Sequence, residues 1–483
     1  MVKIRNSGYS HHGASRGKTS LLQWVSASKS PHEDISENLP LLRERSRDLY
    51  AGGGPLGRGA IDRLTLNAIG SGLKLNVRID PELLNMAEDE ARKWASRAEA
   101  EFDYWASLKD CDFCRQLNFY ELQVSAFRAL LLDGECLAML RYGWDYGHVY
   151  TTQVMLIESD RLATPPVKPS GAMIDEGVEL DSYGRPCAYW IANRHPDSEM
   201  TNQPRLQYSR VPLYTSNHRN IIHLINPERI SQHRGVPYLA PVIEQLKQLG
   251  RYTDAELMAA VVSGMYAIFF EHEPRGEGVI GEEEYASEEG LGESSGMELP
   301  TQGEMYGAIM DLPEGVKPVG VSPNRPNVTF DSFVQSLVRQ IGGCLGIPAE
   351  LLFLNFTASY SASRGALLEA WKLFRYWREW FASNFCQPIY EEWLMEAITK
   401  GRIKASGYHD EFTRKLYAWA SWTGPSQGQL DPVKEVNASI LKVQHGFSTY
   451  QRETSELTGE DFDLNMKALK RERSLIGSVQ HKE

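Results

Sequence analysis

Two short stretches, LGIPAELL at residues 345–352 and SASRGALLE at residues 361–369, lie on either side of an uncharged segment. Gly346 and Pro348 end the preceding helix, because proline lacks the backbone N–H that a helix interior needs. Residues 355–363 are small, hydroxylated or aromatic and carry no charge. The sequence therefore predicts a helix, an uncharged loop and a second helix in succession.

The second helix is predicted over residues 364–400, with a kink at Pro388. It carries aromatic residues at helical spacing: Trp371, Phe374, Trp377, Trp380, Phe381, Phe385 and Trp393. Such a row could stack on nucleic-acid bases. At this spacing aromatic residues more often pack into a core or against another subunit, so packing is the preferred interpretation.

Upstream of these stretches, the sequence predicts two helices separated by an excursion. The first helix is predicted over residues 238–264 and the second over residues 331–345. Short strands are predicted between them, at residues 265–270, 306–310 and 316–321.

The excursion also contains a strongly acidic segment. Between Glu271 and Glu304 there are eleven acidic residues and one basic residue, so this segment supplies −10 of the total charge of −12. Residues 282–289 could bind divalent cations, but they lack the spaced ligands and glycine of a calcium loop, which favours a solvated surface. A disordered, solvated insertion is the alternative interpretation of the whole segment.

The N-terminal segment, in contrast, is basic. The first 30 residues contain five Lys or Arg and no acid, which predicts a flexible basic arm. Such asymmetry indicates separate surfaces for separate partners, whereas the acidic total argues against a protein that coats DNA.

The remaining segments are assigned from periodicity. Helices are predicted at residues 82–108 and 117–132, followed by a mainly β region over residues 135–230. Residues 174–180 are interpreted there as one strand, and residues 401–483 as helical and polar. Of the 483 residues, 42% are hydrophobic, but no apolar run is long enough for a membrane span.

The sequence offers no persuasive active site. The sequence lacks a phosphate-binding loop and an H-E-x-x-H helix. Cys111 and Cys114 form a C-x-x-C pair without the two further ligands of a zinc site or the βαβ unit of a thioredoxin, which favours ordinary buried thiols. Ser231, Gln232 and His233 are interpreted as a loop. No catalytic residue, metal or cofactor is predicted, and the chain is not expected to be an enzyme.

The order of elements and several short sequence segments resemble the lambda family of phage portal proteins. These segments are residues 62–72 (DRLTLNAIGSG), 132–135 (LDGE), 157–162 (IESDRL), 234–242 (RGVPYLAPV), 345–352 and 361–369. Their order and spacing carry the resemblance, which extends from about residue 40 to residue 460.

The resemblance implies an α+β phage portal fold, mainly helical with a β-rich wing, assembled as a ring with wing, stem, clip and crown regions. The expected regions are a flexible basic N-terminal arm (1–40), wing (41–234), first stem helix (235–265), clip (266–327), second stem helix (328–346), tunnel loop region (347–363), long wing helix (364–400), and crown and C-terminal tail (401–483).

The resemblance also implies a function without catalysis. Portal proteins form the DNA channel at one capsid vertex, for genome packaging, head–tail joining and DNA ejection. The expected location is the portal vertex of the virion, and the host cytoplasm during assembly. The expected partners are further copies of the chain in a ring, typically twelve, the terminase large subunit, a head-completion or adaptor protein, the major capsid and scaffold proteins, and double-stranded DNA read without sequence preference.

Two other functions stay open at this point. A minor capsid or head-completion protein would also lack catalysis, but not share the order of helix, clip, helix and loop. A metal-dependent nucleic-acid enzyme would need carboxylates on ordered neighbouring strands.

The resemblance places two sets of functional residues. The tunnel loop, expected to face DNA, comprises Phe356, Thr357, Ala358, Ser359, Tyr360, Ser361, Ser363 and Arg364. The partner-binding surface of the clip comprises Glu282, Glu283, Glu284, Glu288 and Glu289. The acidic clip suits a basic partner, and the mostly uncharged loop offers few strong contacts to phosphate.

Overall fold

The computed structural model describes residues 29–143, 147–198, 205–265, 269–272, 316–319, 329–356, 359–428, 431–460 and 462–480. Most of the predicted basic arm and nearly all of the acidic segment lie outside these residues. None of the helices in the described part of the chain has the length and apolar character needed to cross a membrane.

The α-helices, in chain order, are α1 (Pro31–Ser36), α2 (Leu39–Asp48), α3 (Pro55–Ala68), α4 (Glu88–Ser107), α5 (Phe119–Asp133), α6 (Ile243–Met265), α7 (Phe330–Leu345), α8 (Ala349–Phe353), α9 (Tyr360–Phe381), α10 (Gln387–Thr399), α11 (Glu411–Tyr417), α12 (Pro432–Gln444), α13 (Tyr450–Thr458) and α14 (Phe462–Gln480). The strands are β1 (Lys74–Val77), β2 (Glu135–Tyr142), β3 (Thr152–Ile157), β4 (Met173–Asp175), β5 (Val178–Leu180), β6 (Pro186–Ala192), β7 (Tyr208–Pro212), β8 (Tyr214–Thr215), β9 (His218–Arg219), β10 (Ile221–Ile225), β11 (Phe269–His272), β12 (Val316–Val319) and β13 (Ala420–Thr423).

The chain forms two compact units. The larger unit combines Met1–Ile243 with Gly342–Glu483, and the smaller unit is Glu244–Ile341. The smaller unit therefore comprises most of the two predicted helices together with the excursion between them.

The β-rich part of the larger unit consists of antiparallel sheets. Strand β2 lies between β10 and β3, and a second sheet has the order β4-β5-β6-β7. The first four residues of β2 are all buried. Side chains of these strands and of the segment after β3 share one core: Leu137, Ile157, Leu162, Val178, Tyr189, Ile191 and Ile221. The mainly β region predicted for residues 135–230 is confirmed.

One strand of that region was predicted wrongly. Residues 174–180 form a hairpin of β4 and β5 rather than one strand. The turn lies at Glu176 and Gly177, which both have positive φ, at 45° and 91°. A two-residue turn of this kind needs a left-handed backbone at both positions. Glutamate rarely adopts that conformation, so a turn at Glu176 was not expected from the residue types.

A strand was also missed near the C-terminus. Residues 401–483 were predicted to be helical, but β13 pairs antiparallel with β1. All four residues of β13 are half-buried. Its partner lies about 345 residues earlier in the chain, so the pairing depends on a long-range contact that local periodicity does not reveal.

Aromatic side chains hold the helices of the larger unit together. Phe102 of α4 makes edge contacts with Phe119 of α5 and with Tyr390 and Trp393 of α10, with ring centroids 5.1–5.6 Å apart. Edge-to-face packing is the preferred geometry of such rings. This cluster anchors α10 in the core.

The long helix predicted over residues 364–400 is interrupted. Helix α9 begins at Tyr360, four residues earlier than predicted, and a π-helical turn at Ala382–Cys386 separates it from α10. Pro388 lies in the first turn of α10 and has no N–H to bond the preceding turn, and the irregular backbone lies immediately before the proline.

The smaller unit contains most of α6 and α7 together with β11 and β12. The ring of Tyr252 stacks on Phe330 and meets the edge of Phe333, with centroids 5.4 and 5.1 Å apart. Strands β11 and β12 pair antiparallel. Helix α6 begins at Ile243 rather than at the predicted residue 238, because Pro241 lies in a preceding 3-10 turn.

Candidate functional site

A buried cluster of charges joins distant parts of the larger unit. Glu135, at the start of β2, accepts hydrogen bonds from Nη2 of Arg43 at 2.7 Å and from Nη2 of Arg234 at 2.7 Å. The backbone N–H of Gly235 donates to its second carboxylate oxygen at 2.9 Å, and a ring nitrogen of His223 lies 3.2 Å from that oxygen. Side chains of all four charged or titratable members are at most 6% exposed. We call Arg43, Glu135, His223 and Arg234 the buried ion cluster.

The cluster fixes the charge state of its carboxylate. Burial alone would raise the pKa of Glu135, but the charges of Arg234 and Arg43 and the contact with His223 hold that pKa well below its ordinary value. A buried carboxylate is tolerated when its charge is paired and its lone pairs are hydrogen-bonded. Glu135 therefore stays ionised and ties the segment around residues 234–235 to β2.

Further ion pairs extend the cluster. Arg47 donates to Asp133 at 2.7 Å and to Asp160 at 2.5 Å, and Arg43 also donates to Asp160 at 3.2 Å. Three guanidinium groups thus meet three carboxylates. Burial opposes ionisation of Asp160, yet the hydrogen bond and charge of Arg47 lower the pKa of Asp160.

Three of the sequence segments that carry the family resemblance meet in the buried ion cluster. The segments LDGE at 132–135, IESDRL at 157–162 and the start of RGVPYLAPV at 234–242 contribute four residues that hydrogen-bond one another here: Asp133, Glu135, Ser159 and Arg234. Sequence analysis recognised these three segments but did not predict that they contact one another. Arg43 and His223 were missed altogether. His223 lies inside the apolar run 221–225, which is a signal of a buried polar pair, whereas Arg43 lies among other charged residues.

Two glycines allow the backbones to approach in this cluster. A Cβ added to Gly235 would lie 1.9 Å from the carbonyl oxygen of Gly134, and one added to Gly134 would lie 2.3 Å from the carbonyl carbon of Val236. No side chain fits at either position. The N–H of Tyr238 donates to the oxygen of Leu131 at 2.9 Å, so the entry to α6 is fixed to the end of α5.

Within the described residues, one group of side chains has the composition of a metal site. It consists of Glu158, Asp160 and His195. Asp160 is already bonded to the guanidinium groups of Arg43 and Arg47, so a cation would compete with two fixed positive charges. This geometry favours an ion-pair network over the carboxylate cluster of a metal-dependent enzyme.

The segment predicted to be the tunnel loop lies between two helix ends. Helix α8 ends at Leu354, a left-handed residue with φ 53°, where the N–H of Asn355 bonds the oxygen of Glu350 at 3.1 Å. The hydroxyl of Ser359 accepts from the N–H of Ala362 and caps α9. Residues 354–359 therefore connect a closed helix end to a capped helix start.

Part of the predicted loop is helical. Tyr360, Ser361, Ser363 and Arg364 form the first turn of α9 and not a loop, because the cap at Ser359 starts the helix earlier than the residue types indicated. Phe356 lies in the connection with its side chain 45% exposed. Thr357 and Ala358 lie outside the described residues.

Leu354 offers a direct test of this local geometry. Leucine is strained at positive φ, whereas glycine is not, and the side chain of Leu354 is largely exposed and loses little packing. We expect Leu354→Gly to raise the free energy of unfolding by about 1 kcal/mol, measured by urea denaturation. A decrease of that size would show that α8 does not end in a left-handed residue.

The aromatic row after the loop packs inside the protein. Six of the seven predicted residues, Trp371, Phe374, Trp377, Phe381, Phe385 and Trp393, are at most 7% exposed, and Trp380 is half-buried. Core packing is confirmed, and base stacking is wrong for these six rings. Arg378 lies in the same row and donates to the oxygens of Asn67, Ala68 and Pro425 at 2.8–3.0 Å. The sequence did not single out this arginine.

The remaining predicted residues have other outcomes. Glu282, Glu283, Glu284, Glu288 and Glu289 lie outside the described residues, so the acidic surface stays a prediction. Cys111 is buried and Cys114 is exposed, and neither is in a disulfide. Burial raises the pKa of the Cys111 thiol, as in an unreactive core cysteine.

Comparison with known proteins gives consistent matches. The family model described as "Phage portal protein, lambda family" matches residues 17–378. The chain is 24% identical to portal protein B of Escherichia phage lambda over 479 residues, covering 96% of this chain and 89% of that protein. It is 25% identical to the portal protein of Escherichia phage N15, covering 94% and 87% of the two chains.

Solved structures with a similar backbone are also found. One is from the neck of a native gene transfer agent particle computed with C12 symmetry, with 14% identity and a TM-score of 0.43 over 86% of this chain and 94% of that chain. Another is from the virion of a native gene transfer agent particle, with 15% identity and a TM-score of 0.45 over 87% and 93%.

Proposed function

The chain belongs to the lambda family of phage portal proteins, and on that premise we propose that its copies close into a ring, typically of twelve, around a channel for double-stranded DNA. This family is structural rather than enzymatic, and its members are parts of the virion. In the proposed function, the ring occupies one capsid vertex. The genome enters through it during packaging and leaves through it during ejection.

The observation that carries this proposal is the extent of the family match. Residues 17–378 include both helices of the smaller unit and the connection at residues 354–359. A head-completion protein, the other structural function considered above, would not be expected to match this family over three quarters of the chain. The match therefore favours a channel over a plug or adaptor.

The chemistry of residues 354–359 suits a surface along which DNA slides. These residues carry no charged side chain. Stable binding of DNA depends on Lys and Arg that neutralise phosphates and release counterions, so an uncharged surface binds the backbone weakly. Outside residues 271–304 the chain carries a net charge of only −2, so it offers little general attraction for phosphate. We therefore propose that residues 354–359 face the DNA.

A shortened connection tests this assignment. The deletion should remove only residues 356–358, since loss of Ser359 or of residues 360–362 would damage the cap of α9. We expect rings to form normally but heads to retain less DNA, because a shorter loop cannot reach the duplex. The measurement is the nuclease-resistant DNA per head after complementation of a portal-defective phage.

Glu158→Gln serves as the control, since it lies outside residues 354–359 and keeps the length of the connection. Heads carrying that variant should hold a normal amount of DNA. If the chain lacking residues 356–358 also fills and retains DNA normally, the connection does not contact the genome.

We also propose the partners of the ring. Residues 266–327 would bind the terminase large subunit during packaging and an adaptor protein afterwards, and the acidic surface that includes Glu282 and Glu288 would attract a basic partner. The remaining surface would meet scaffold and major capsid proteins. Hydrolysis of ATP would belong to the terminase, since no phosphate-binding loop is found in this chain.

A further inference from the structure

The smaller unit exposes a row of apolar side chains on α6. Leu257, Met258 and Val261 are 65%, 64% and 45% exposed. They lie on adjacent turns and so form one continuous apolar surface, which we call the ridge. Apolar side chains scattered singly are normal on a surface, but a contiguous patch indicates a contact with another molecule.

The same unit also contains an apolar groove between α6 and α7. Its volume is about 560 Å³, and its walls are Gln248, Tyr252, Thr329, Ser332, Phe333 and Leu337. None of these six side chains is charged. Phe333 remains 52% exposed although its ring packs against Tyr252. The volume is many times the roughly 30 Å³ that one water occupies, so the groove has room for several side chains.

The ridge and the groove lie on opposite sides of α6. Leu257 follows Gln248 by nine residues, and Val261 follows Tyr252 by nine residues. At 3.6 residues per turn, nine residues correspond to about two and a half turns of a helix. Leu257 and Val261 therefore point away from Gln248 and Tyr252, and Met258 lies on the flank between the two sides.

This arrangement identifies the occupant of the groove. A two-fold contact uses the same patch on both chains, whereas a head-to-tail contact uses two different surfaces on opposite sides of each chain. An uncharged groove on one side and an uncharged ridge on the other side of a single helix meet that requirement. We propose that the ridge of one copy of this chain inserts into the groove of the next copy. This inference rests on the proposed ring and names the contact that closes it.

Two charge-carrying variants test the pairing. The ridge variant is Leu257→Lys with Val261→Lys, and the groove variant is Phe333→Glu with Leu337→Glu. Each alone is expected to reduce the ring fraction about ten-fold or more at the concentration where the unaltered chain is half assembled, because like charges or unpaired charges then lie in an apolar contact. The ring fraction is measured by native mass spectrometry.

Mixing the two variants gives the decisive result. In an alternating ring, every lysine ridge meets a glutamate groove and every native ridge meets a native groove. An equal mixture should therefore recover rings that contain the two variants in a one-to-one ratio. Lys93→Glu, an exposed change on α4 in the larger unit, is the control and should assemble normally. Circular dichroism of each variant verifies that its helices have formed.

The possible failures are distinguishable. Normal rings from either variant alone would overturn the ridge-and-groove contact and leave the proposed ring intact. Folded variants that fail singly and also fail when mixed would place the two surfaces in different contacts and overturn the pairing. An unaltered chain that forms no ring at any concentration would contradict the proposed function itself.

Discussion

Glu135→Gln is expected to lower the free energy of unfolding by about 3–5 kcal/mol, the loss typical when one partner of a buried ion pair is removed. The amide would leave Arg43 and Arg234 as buried cations without a counter-charge, and its NH₂ group would face donors instead of accepting from them. Urea denaturation of the purified chain measures the loss directly.

Glu158→Gln is the matched control for this prediction. The side chain of Glu158 is 51% exposed and lies 4.0 Å from Arg47, so its ion pair contributes little. We expect a change below about 0.5 kcal/mol. Equal losses for the two variants would mean that the buried ion cluster does not hold the larger unit together.

The same prediction has a definite dependence on pH. The ordinary pKa of a glutamate is 4.5, and the pKa of Glu135 is lower in the folded protein. A carboxylate of this kind stabilises the fold above pH 4.5 and loses that contribution as the pH falls through its folded pKa. The difference in stability between the unaltered chain and Glu135→Gln should therefore be largest above pH 5 and should shrink in acid.

Gly235→Ala is expected to have the second largest effect, a loss of about 3 kcal/mol in the free energy of unfolding. The added methyl group would lie 1.9 Å from the oxygen of Gly134, a distance that requires the backbone itself to move. That movement would also pull the N–H of Gly235 away from Glu135. The measurement is again the denaturant midpoint, compared with that of the unaltered chain.

Gly365→Ala is the control with the opposite expected sign. Gly365 lies inside α9, and a Cβ there would meet nothing within 4 Å. Alanine in a helix interior is more stable than glycine by about 0.5–1 kcal/mol. If Gly235→Ala were as well tolerated as Gly365→Ala, the close approach of the two glycine backbones would not exist in solution.

The sequence predicted the parts of this chain that depend on local chemistry. Gly346 and Pro348 ended α7 where expected, since a left-handed glycine and a proline stop a helix whatever surrounds them. The aromatic row of α9 and α10 packs inside, as its helical spacing indicated. Resemblance to a family added the order of the regions, which periodicity alone does not give.

Features that depend on distant contacts could not be predicted in the same way. Arg43 and Glu135 are 92 residues apart, and β1 and β13 are farther apart still. The local sequence around Arg43 does not indicate that it pairs with Glu135. The start of α9 was misplaced for a related reason: Ser359, Ser361 and Ser363 are all able to cap a helix, and only the folded backbone selects Ser359.

The central claim is that copies of this chain close around an axis and leave a channel for a DNA duplex. Single-particle electron microscopy of the purified full-length chain tests it most directly. We expect closed rings, typically of twelve copies, with an open centre wide enough for duplex DNA. Particles that are uniformly monomeric, or rings whose centre is closed by protein, would contradict the claim.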